Sequence, residues 1–520
     1  MEKFYITTAI DYCNAAPHIG HAYEKIVADV IARQKKQVCD DVYFLIGTDE
    51  HGTKIERTAA SCEIAPQEFC DKNAEEFKKA WKLLDIDYNQ FIRTTEPSHK
   101  KRVQEIFKKL LENGDIYKAS YKGLYCAGCE SFLSEKDLID GLCPNHNVAP
   151  QVVEEENYFF KLTKYKDAII NHIKTHPEFI QPEFRAKEVL NQLEDIQDIS
   201  VSRSKESLTW GISVPDDDSQ IIYVWIDALS NYITALGYPD NGSFKKYWSA
   251  DCQVIGKDIL KFHAIYWPAM LMALGLELPK TLFAHGWITV DEQKMGKSLG
   301  NAISPESLMK EFNLQNGDAI RYFFAVATTF GRDGNFSDED FKNKVNSDLA
   351  NNMGNLLNRS LSMLCKYFDG EIKPKFVNET LKTGAISTVQ KTAIAFENYA
   401  LEQAADSIIS YVNDVNKYVN DNAPWALAKE EKWTDCGKII YNTLESMRFV
   451  AVLIYPFCPN IAQDIWNQLN CEGKVSTIKY KDLKWGELKL GKIASKDSVK
   501  PVFLRLDSEI AGDKKKNNVN

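Results

Sequence analysis

Residues 4–49, FYITTAIDYCNAAPHIGHAYEKIVADVIARQKKQVCDDVYFLIGTD, carry the pattern from which the fold is read. Phe4-Tyr5-Ile6-Thr7-Thr8 is aromatic and β-branched, the composition of a buried strand. A polar, proline-containing stretch follows. A helical stretch then runs from about Gly20 to Lys36, and a second strand at Val42-Tyr43-Phe44-Leu45-Ile46 ends in Gly47-Thr48-Asp49. Strand, helix, strand predicts a right-handed parallel crossover and an α/β fold.

In an open parallel sheet, ligands bind outside the carboxyl ends of the strands. Pro17-His18-Ile19-Gly20-His21 occupies that edge, between the first strand and the first helix. A helix N-terminus offers N–H groups and a positive dipole end to phosphate. Two imidazoles three residues apart share a helix face and can donate to oxygens that gain charge in a transition state. Gly20 lets a nucleotide approach the backbone closely. A bare H-x-x-H is equally well read as two surface or capping histidines. Asp49, at the carboxyl end of the second strand, is placed for a ligand cation.

Outward from this unit the pattern changes. Residues 1–112 read as the first half of an α/β domain. Residues 113–220 hold a cysteine group, the acidic run Glu154-Glu155-Glu156 and short aromatic strands such as Tyr158-Phe159-Phe160, which predicts an inserted domain. The α/β pattern returns over 221–335, with strands at Ile221-Ile222-Tyr223-Val224-Trp225, Gln253-Val254-Ile255 and Thr281-Leu282-Phe283-Ala284. Over 336–505 the strand signals fade. Ala393, Phe396, Ala400, Ala404, Ile408, Tyr411, Val415 and Tyr418 recur at helical spacing, as do Leu444, Met447, Val450 and Leu453, so this part reads as a helix bundle. The lysine- and asparagine-rich tail, 506–520, reads as disordered.

With 520 residues, 44% hydrophobic and 26% charged, the chain suits a globular protein of several domains. It has no run of about 18 apolar residues. Its N-terminus lacks the form of a secretory or transit signal, and a cytoplasmic enzyme is expected. The net charge of −10 gives nucleic acid no bulk attraction, although a local basic face can coexist with it.

Of the 12 cysteines only Cys126, Cys129 and Cys143 are grouped. Cys126-x-x-Cys129, a spacer, then Cys143-Pro144-Asn145-His146 is zinc-ligand spacing. Four protein ligands leave no open position, so the zinc would be structural and would help fold a small insert.

Lys294-Met295-Gly296-Lys297-Ser298 lies far downstream. Two lysines three apart, followed by Ser298, fit a mobile cationic loop that closes over a triphosphate. By itself K-x-x-K-S is more readily a solvated turn. Its weight comes from the histidine motif upstream.

The two motifs, in this order, resemble the HIGH and KMSKS signatures of the class I aminoacyl-tRNA synthetases, and Tyr5 through Asp29 resembles the methionine-specific branch. The likeness runs from about residue 3 to 460. Gly296 departs from the serine of KMSKS, removing a hydroxyl and loosening the loop. The resemblance implies a Rossmann-like doubly wound parallel sheet with an inserted zinc-binding connective domain, followed by an α-helical bundle that binds the anticodon. It implies that His18, His21, Lys294 and Lys297 are catalytic. ATP, with Mg2+, would meet His18, Gly20, His21, Gly256, Lys257, Asp258, Lys294, Lys297 and Ser298, with Glu24 and His51 as further candidates. L-Methionine would be held by Ile10, Tyr12, Asp49, Trp225, Ala228, Tyr232, Ile259 and His263, with Arg203 pairing with Asp49 and Tyr12 or His263 donating to the sulfur. Thioethers pack well on aromatic rings, but each aromatic taken singly also fits plain core packing. Asn355, Arg359 and Trp425 would read the anticodon of initiator and elongator tRNA(Met), by stacking and edge hydrogen bonds. A monomer is expected. The alternatives are another class I synthetase, disfavoured by the pocket residues and by zinc in the insert, and a non-catalytic tRNA-binding scaffold, disfavoured by the intact histidines and lysines.

Replacing Cys126 with Ser is expected to lower zinc content and thermal stability together. Unchanged zinc stoichiometry by atomic absorption would refute the ligand assignment.

Overall fold

The strand Lys3–Thr8 lies in the middle of a seven-stranded sheet. In space the order is Asp11–Tyr12, Asp41–Asp49, Lys3–Thr8, Cys252–Gly256, Leu282–His285 and Ile180–Gln181, with Gln90–Arg93 also against Asp41–Asp49. Every pairing in this sheet is parallel. From Lys3–Thr8 the chain passes through the helix Ile19–Val38 to Asp41–Asp49 on one side, and the sheet resumes on the other side only at Cys252–Gly256. The order therefore reverses at the first strand, which opens a crevice at its carboxyl end. The computed structural model describes residues 3–126, 131–133, 138–144, 147–239, 242–294, 301–372 and 375–506.

The first helix starts at Ile19 and ends at Val38, slightly longer than the expected stretch. Apolar packing covers most of its circumference, yet Lys25, Asp29, Arg33 and Gln37 are buried along one i, i+4 ridge. Each has a partner. Lys25 pairs with Asp11 and Glu24, both at 2.9 Å. Asp29 pairs with Arg33 at 2.6 Å and with the fully buried Arg321 at 2.7 Å. Gln37 donates to the Val452 carbonyl at 2.8 Å. Arg321 also donates to the carbonyls of Pro456, Phe457 and Leu84, so the Asp29 knot joins the sheet half to the helical half.

Two apolar cores flank the sheet. One runs from Phe4, Ile6 and the first helix into the C-terminal helices as far as Leu453 and Val502. The other lies under the helices Pro97–Glu112, Val224–Thr234 and Trp267–Leu274. Ile116–Cys126 and Gln151–Phe160 form a long antiparallel pair within a separate four-stranded sheet, so the aromatic run 158–160 is the end of a ten-residue strand.

Two expectations change. The run 221–225 is not one strand. Asp217–Ile222 is an antiparallel strand beside Ser202–Ser204 and Ser213–Val214, and the helix Val224–Thr234 begins two residues later. A short apolar run fits a buried helix turn as well as a strand. The spacing from Ala393 to Tyr418 spans two helices, Glu379–Glu397 and Leu401–Asn422. They are broken at Tyr399, whose φ is 55° and whose ring meets Phe283 at 5.1 Å. No glycine or proline marks that break, so periodicity alone ran through it. Leu444, Met447, Val450 and Leu453 lie in the helix Trp433–Ile454. Among the described residues no helix is long and apolar enough to cross a membrane.

Burial alone would raise the Asp29 carboxyl, but Arg33 and Arg321 hold it below the usual carboxylate range. Removing one partner of such a buried pair costs about 3–5 kcal/mol. Asp29→Asn is expected to lose that much in urea unfolding. A lowered native pKa gives stability that is present above about pH 4 and lost as pH falls through the native value. The gap between wild type and Asp29→Asn should therefore be constant from pH 5 to 8 and shrink below about pH 4.

Candidate active site

The crevice holds a cavity of about 530 Å³. Its floor is the carboxyl edge of the sheet: Ala9 and Ile10 after the first strand, Asp49 ending the second, Gly256 ending the next, and His285 and Gly286 after that. His18, Gly20, His21 and Glu24 reach it from the first helix. Trp225, Ala228, Leu229, Asn231 and Tyr232 reach it from the helix Val224–Thr234, and Ile259 and His263 from the turns after Gly256.

The histidines are more than exposed imidazoles. His18 caps the first helix: its Nδ1 accepts from the Gly20 N–H at 3.1 Å, and its own N–H donates to His21 Nδ1 at 3.2 Å. With both Nδ1 atoms accepting, the neutral rings carry their protons on Nε2. The rings lie 4.0 Å apart. The cap thus fixes both tautomers, with the ring N–H at Nε2, on rings that line the cavity.

Behind this wall, Lys25 donates to Asp11, Glu24 and the Ala9 carbonyl, each at 2.9 Å, while Glu24 meets His285 Nε2 at 3.1 Å. Burial pushes Glu24 up, but Lys25 and His285 bring it below its ordinary value. Burial dominates at Asp11 and raises it to about 7.

On the aromatic side, Trp225 stacks on Phe262 with centroids 3.6 Å apart. His263 Nδ1 donates to the Ile259 carbonyl at 3.1 Å, so His263 Nε2 accepts from the Tyr232 hydroxyl at 2.7 Å. Burial lowers His263 to about 4 and keeps it neutral. Both of its nitrogens are engaged, so His263 holds Tyr232 in place. His263 is therefore not placed to donate to a sulfur, as one of the two expected donors would.

Some expected residues lie elsewhere. Arg203 stands outside the cavity lining, donating to Ser200 Oγ at 2.8 Å and the Ser202 carbonyl at 2.7 Å, with its guanidinium 4.6 Å from the Tyr223 ring. Lys257 pairs with Asp333 at 2.6 Å and lies 4.2 Å over the Trp287 ring, while Gly256 and Asp258 line the cavity. At Gly256 a Cβ would come within 2.8 Å of Asp258 Oδ1. His51 is buried against Asp227. The strand Gln293–Lys294 pairs with Ile288–Val290, whose Ile288 lines the cavity. The Lys294 side chain and residues 295–300, with Lys297 and Ser298, lie outside the described residues. Asn355 and Arg359 share the helix Asn355–Phe368. Arg359 donates to Asn420 at 3.0 Å and Asn416 at 3.4 Å, and its guanidinium lies 5.9 Å from Trp425, which is 37% exposed. Cys126 and Cys143 are buried, and Asn147 N–H turns back to the Cys143 carbonyl at 2.7 Å. Cys129 and His146 lie outside the described residues.

His285, Asn231, Lys54 and Trp287 also line the cavity, and sequence reading missed them. For His285 a signal existed: it directly follows the predicted strand 281–284, at a carboxyl end.

A parallel sheet with its switch point under a histidine-capped helix, and a helical half behind it, is the architecture of a class I aminoacyl-tRNA synthetase. The family model for class I tRNA synthetases (M) matches residues 4–151 and 146–361, and that for the anticodon-binding domain of tRNA ligases matches 382–503. The methionine--tRNA ligase of Thermotoga maritima is 44% identical, over 98% of this chain and 81% of its own length. That of Clostridium perfringens is 47% identical over 98% and 79%. The methionyl-tRNA synthetase of Mycobacterium tuberculosis in complex with methionyl-adenylate superimposes with a TM-score of 0.91 at 38% identity, covering 97% of this chain and 100% of that one. The chain belongs to the methionine--tRNA ligases.

His263 should remain neutral far below its ordinary range. In histidine-labelled protein its ring resonances are expected to hold their neutral shifts from pH 8 down to about pH 5. A midpoint near 6.5 would contradict the buried Tyr232–His263 pair.

Proposed function

We propose that the crevice performs both steps of methionine transfer. The methionine carboxylate attacks the α-phosphorus of Mg·ATP, and pyrophosphate leaves with the electron pair of the broken P–O bond. A ribose hydroxyl at the tRNA end then attacks the adenylate carbonyl and releases AMP. The Nε2–H groups of His18 and His21 donate to the phosphate oxygens as charge builds, and Lys294, Lys297 and Ser298 close over the leaving pyrophosphate. Gly20, Gly256 and Asp258 receive the nucleotide, with Lys257 bracing the rim through Asp333. Asp49 holds the ammonium group. Ile10, Tyr12, Trp225, Ala228, Tyr232, Ile259 and His263 enclose the thioether side chain, and Arg203 braces this wall. No side chain acts as a covalent nucleophile.

What supports this reading most is the pairing, in one cavity, of a helix-capping histidine pair with a carboxylate at a strand end and an aromatic wall. The Arg359–Trp425 contact beside Asn355 suits unpaired anticodon bases of initiator and elongator tRNA(Met), which stack on a ring and pair through their edges. Cys126, Cys129, Cys143 and His146 would hold one structural zinc. The enzyme works as a cytoplasmic monomer.

The test is ATP–pyrophosphate exchange without tRNA across twenty amino acids. Methionine alone should give signal, and exchange with another amino acid would overturn the pocket. Trp425→Ala should weaken tRNA aminoacylation and leave exchange nearly intact, whereas equal loss in both would refute the anticodon role.

A further inference from the structure

Asp227 lies outside the cavity lining, is 1% exposed, and has both carboxylate oxygens taken by imidazoles. His51 Nδ1 lies 2.6 Å from its Oδ2, and His99 Nε2 lies 2.7 Å from its Oδ1. His99 Nδ1 in turn meets Thr234 Oγ1 at 2.7 Å. These groups come from three separate elements around the site. His51 follows Asp49 by two residues, His99 stands on the helix Pro97–Glu112, and Asp227 and Thr234 stand on the helix that carries Trp225, Ala228 and Tyr232. On its other side the segment 49–51 is held through Glu50, whose carboxylate takes Arg93 at 2.7 Å and Thr48 at 2.6 Å. Glu50 therefore ties the segment to the sheet, while His51–Asp227 ties it to the aromatic helix.

We propose that Asp227 is a positioning residue: through His51, with His99 as its rear support, it sets the distance between the Asp49 carboxylate and the aromatic wall, and so selects a substrate carrying an ammonium group at one end and a thioether at the other. This rests on the reading that Asp49 receives the ammonium. Geometry set within a fraction of an ångström governs how well two anchors engage one small ligand. Losing the tie lets the His51 end of the segment shift relative to the aromatic helix and leaves the nucleotide side of the cavity, built on His18, Gly20 and Gly256, in place.

The experiment uses pyrophosphate exchange with wild type, Asp227→Leu, Asp227→Asn and His99→Gln. Asp227→Leu is expected to raise the KM for methionine about tenfold and change the KM for ATP less than about twofold. Asp227→Asn keeps one acceptor and gains one donor for the two imidazoles, so it should recover most of the loss; His99→Gln should give an intermediate rise and stands in if Asp227→Leu does not fold. The discriminating readout is 4-(methylsulfanyl)butanoate, methionine without its amino group, as a competitive inhibitor. Its inhibition constant should stay within about twofold of wild type in every variant, because it makes no use of Asp49. An inhibition constant rising in step with the methionine KM, equal rises in both substrate KM values, or an unchanged methionine KM would each overturn the proposal. Absence of methionine-dependent exchange in wild type would instead overturn the underlying reading of the site.

Discussion

The buried polar ridge Lys25–Asp29–Arg33–Gln37 constrains the whole molecule. Charged groups inside a protein are tolerated only when fully paired. Here the partners come from distant places: Asp11 near the sheet edge, Arg321 from the helix Asp318–Val326, and the Val452 carbonyl deep in the C-terminal helices. The first helix can therefore dock in one rotation and one translation only. Its N-terminus carries His18 and His21, so the geometry of the reactive edge follows from contacts made along the rest of the same helix.

That inheritance explains how the cavity tolerates several carboxylates in a site that receives a polyanion. Lys25 lies behind the wall, engaged by Asp11 and Glu24. Its charge offsets theirs without occupying space a ligand needs. The histidine cap works on the same principle: backbone N–H groups of the helix start fix the Nδ1 atoms, and the Nε2–H groups are oriented before any ligand arrives.

Much of this was legible in the sequence, because the crossover 4–49 combines strand composition with a helix start and a terminal carboxylate. Ile10, Tyr12, Asp49, Trp225, Ala228, Tyr232, Ile259 and His263 do meet around one cavity. Two kinds of feature were not legible. Pairings between side chains remote in sequence, such as Asp227 with His51 and His99 or Lys257 with Asp333, leave no local signature. Element boundaries were hidden where no glycine or proline marks them, as at Tyr399, or where an apolar run suits both strand and helix, as at 221–225.

The apolar core that runs unbroken from Phe4 to Val502 also fixes a length. Packed side chains fill the junction between the sheet half and the helical half, and the fully buried Arg321, paired with Asp29, pins the two together. On the proposed reading of Arg359 and Trp425 as the anticodon contacts, the protein is a caliper for its tRNA. The spacing between its jaws is set by core volume, and an RNA whose stem is too short or too long delivers its end beside Asp49 only by bending itself.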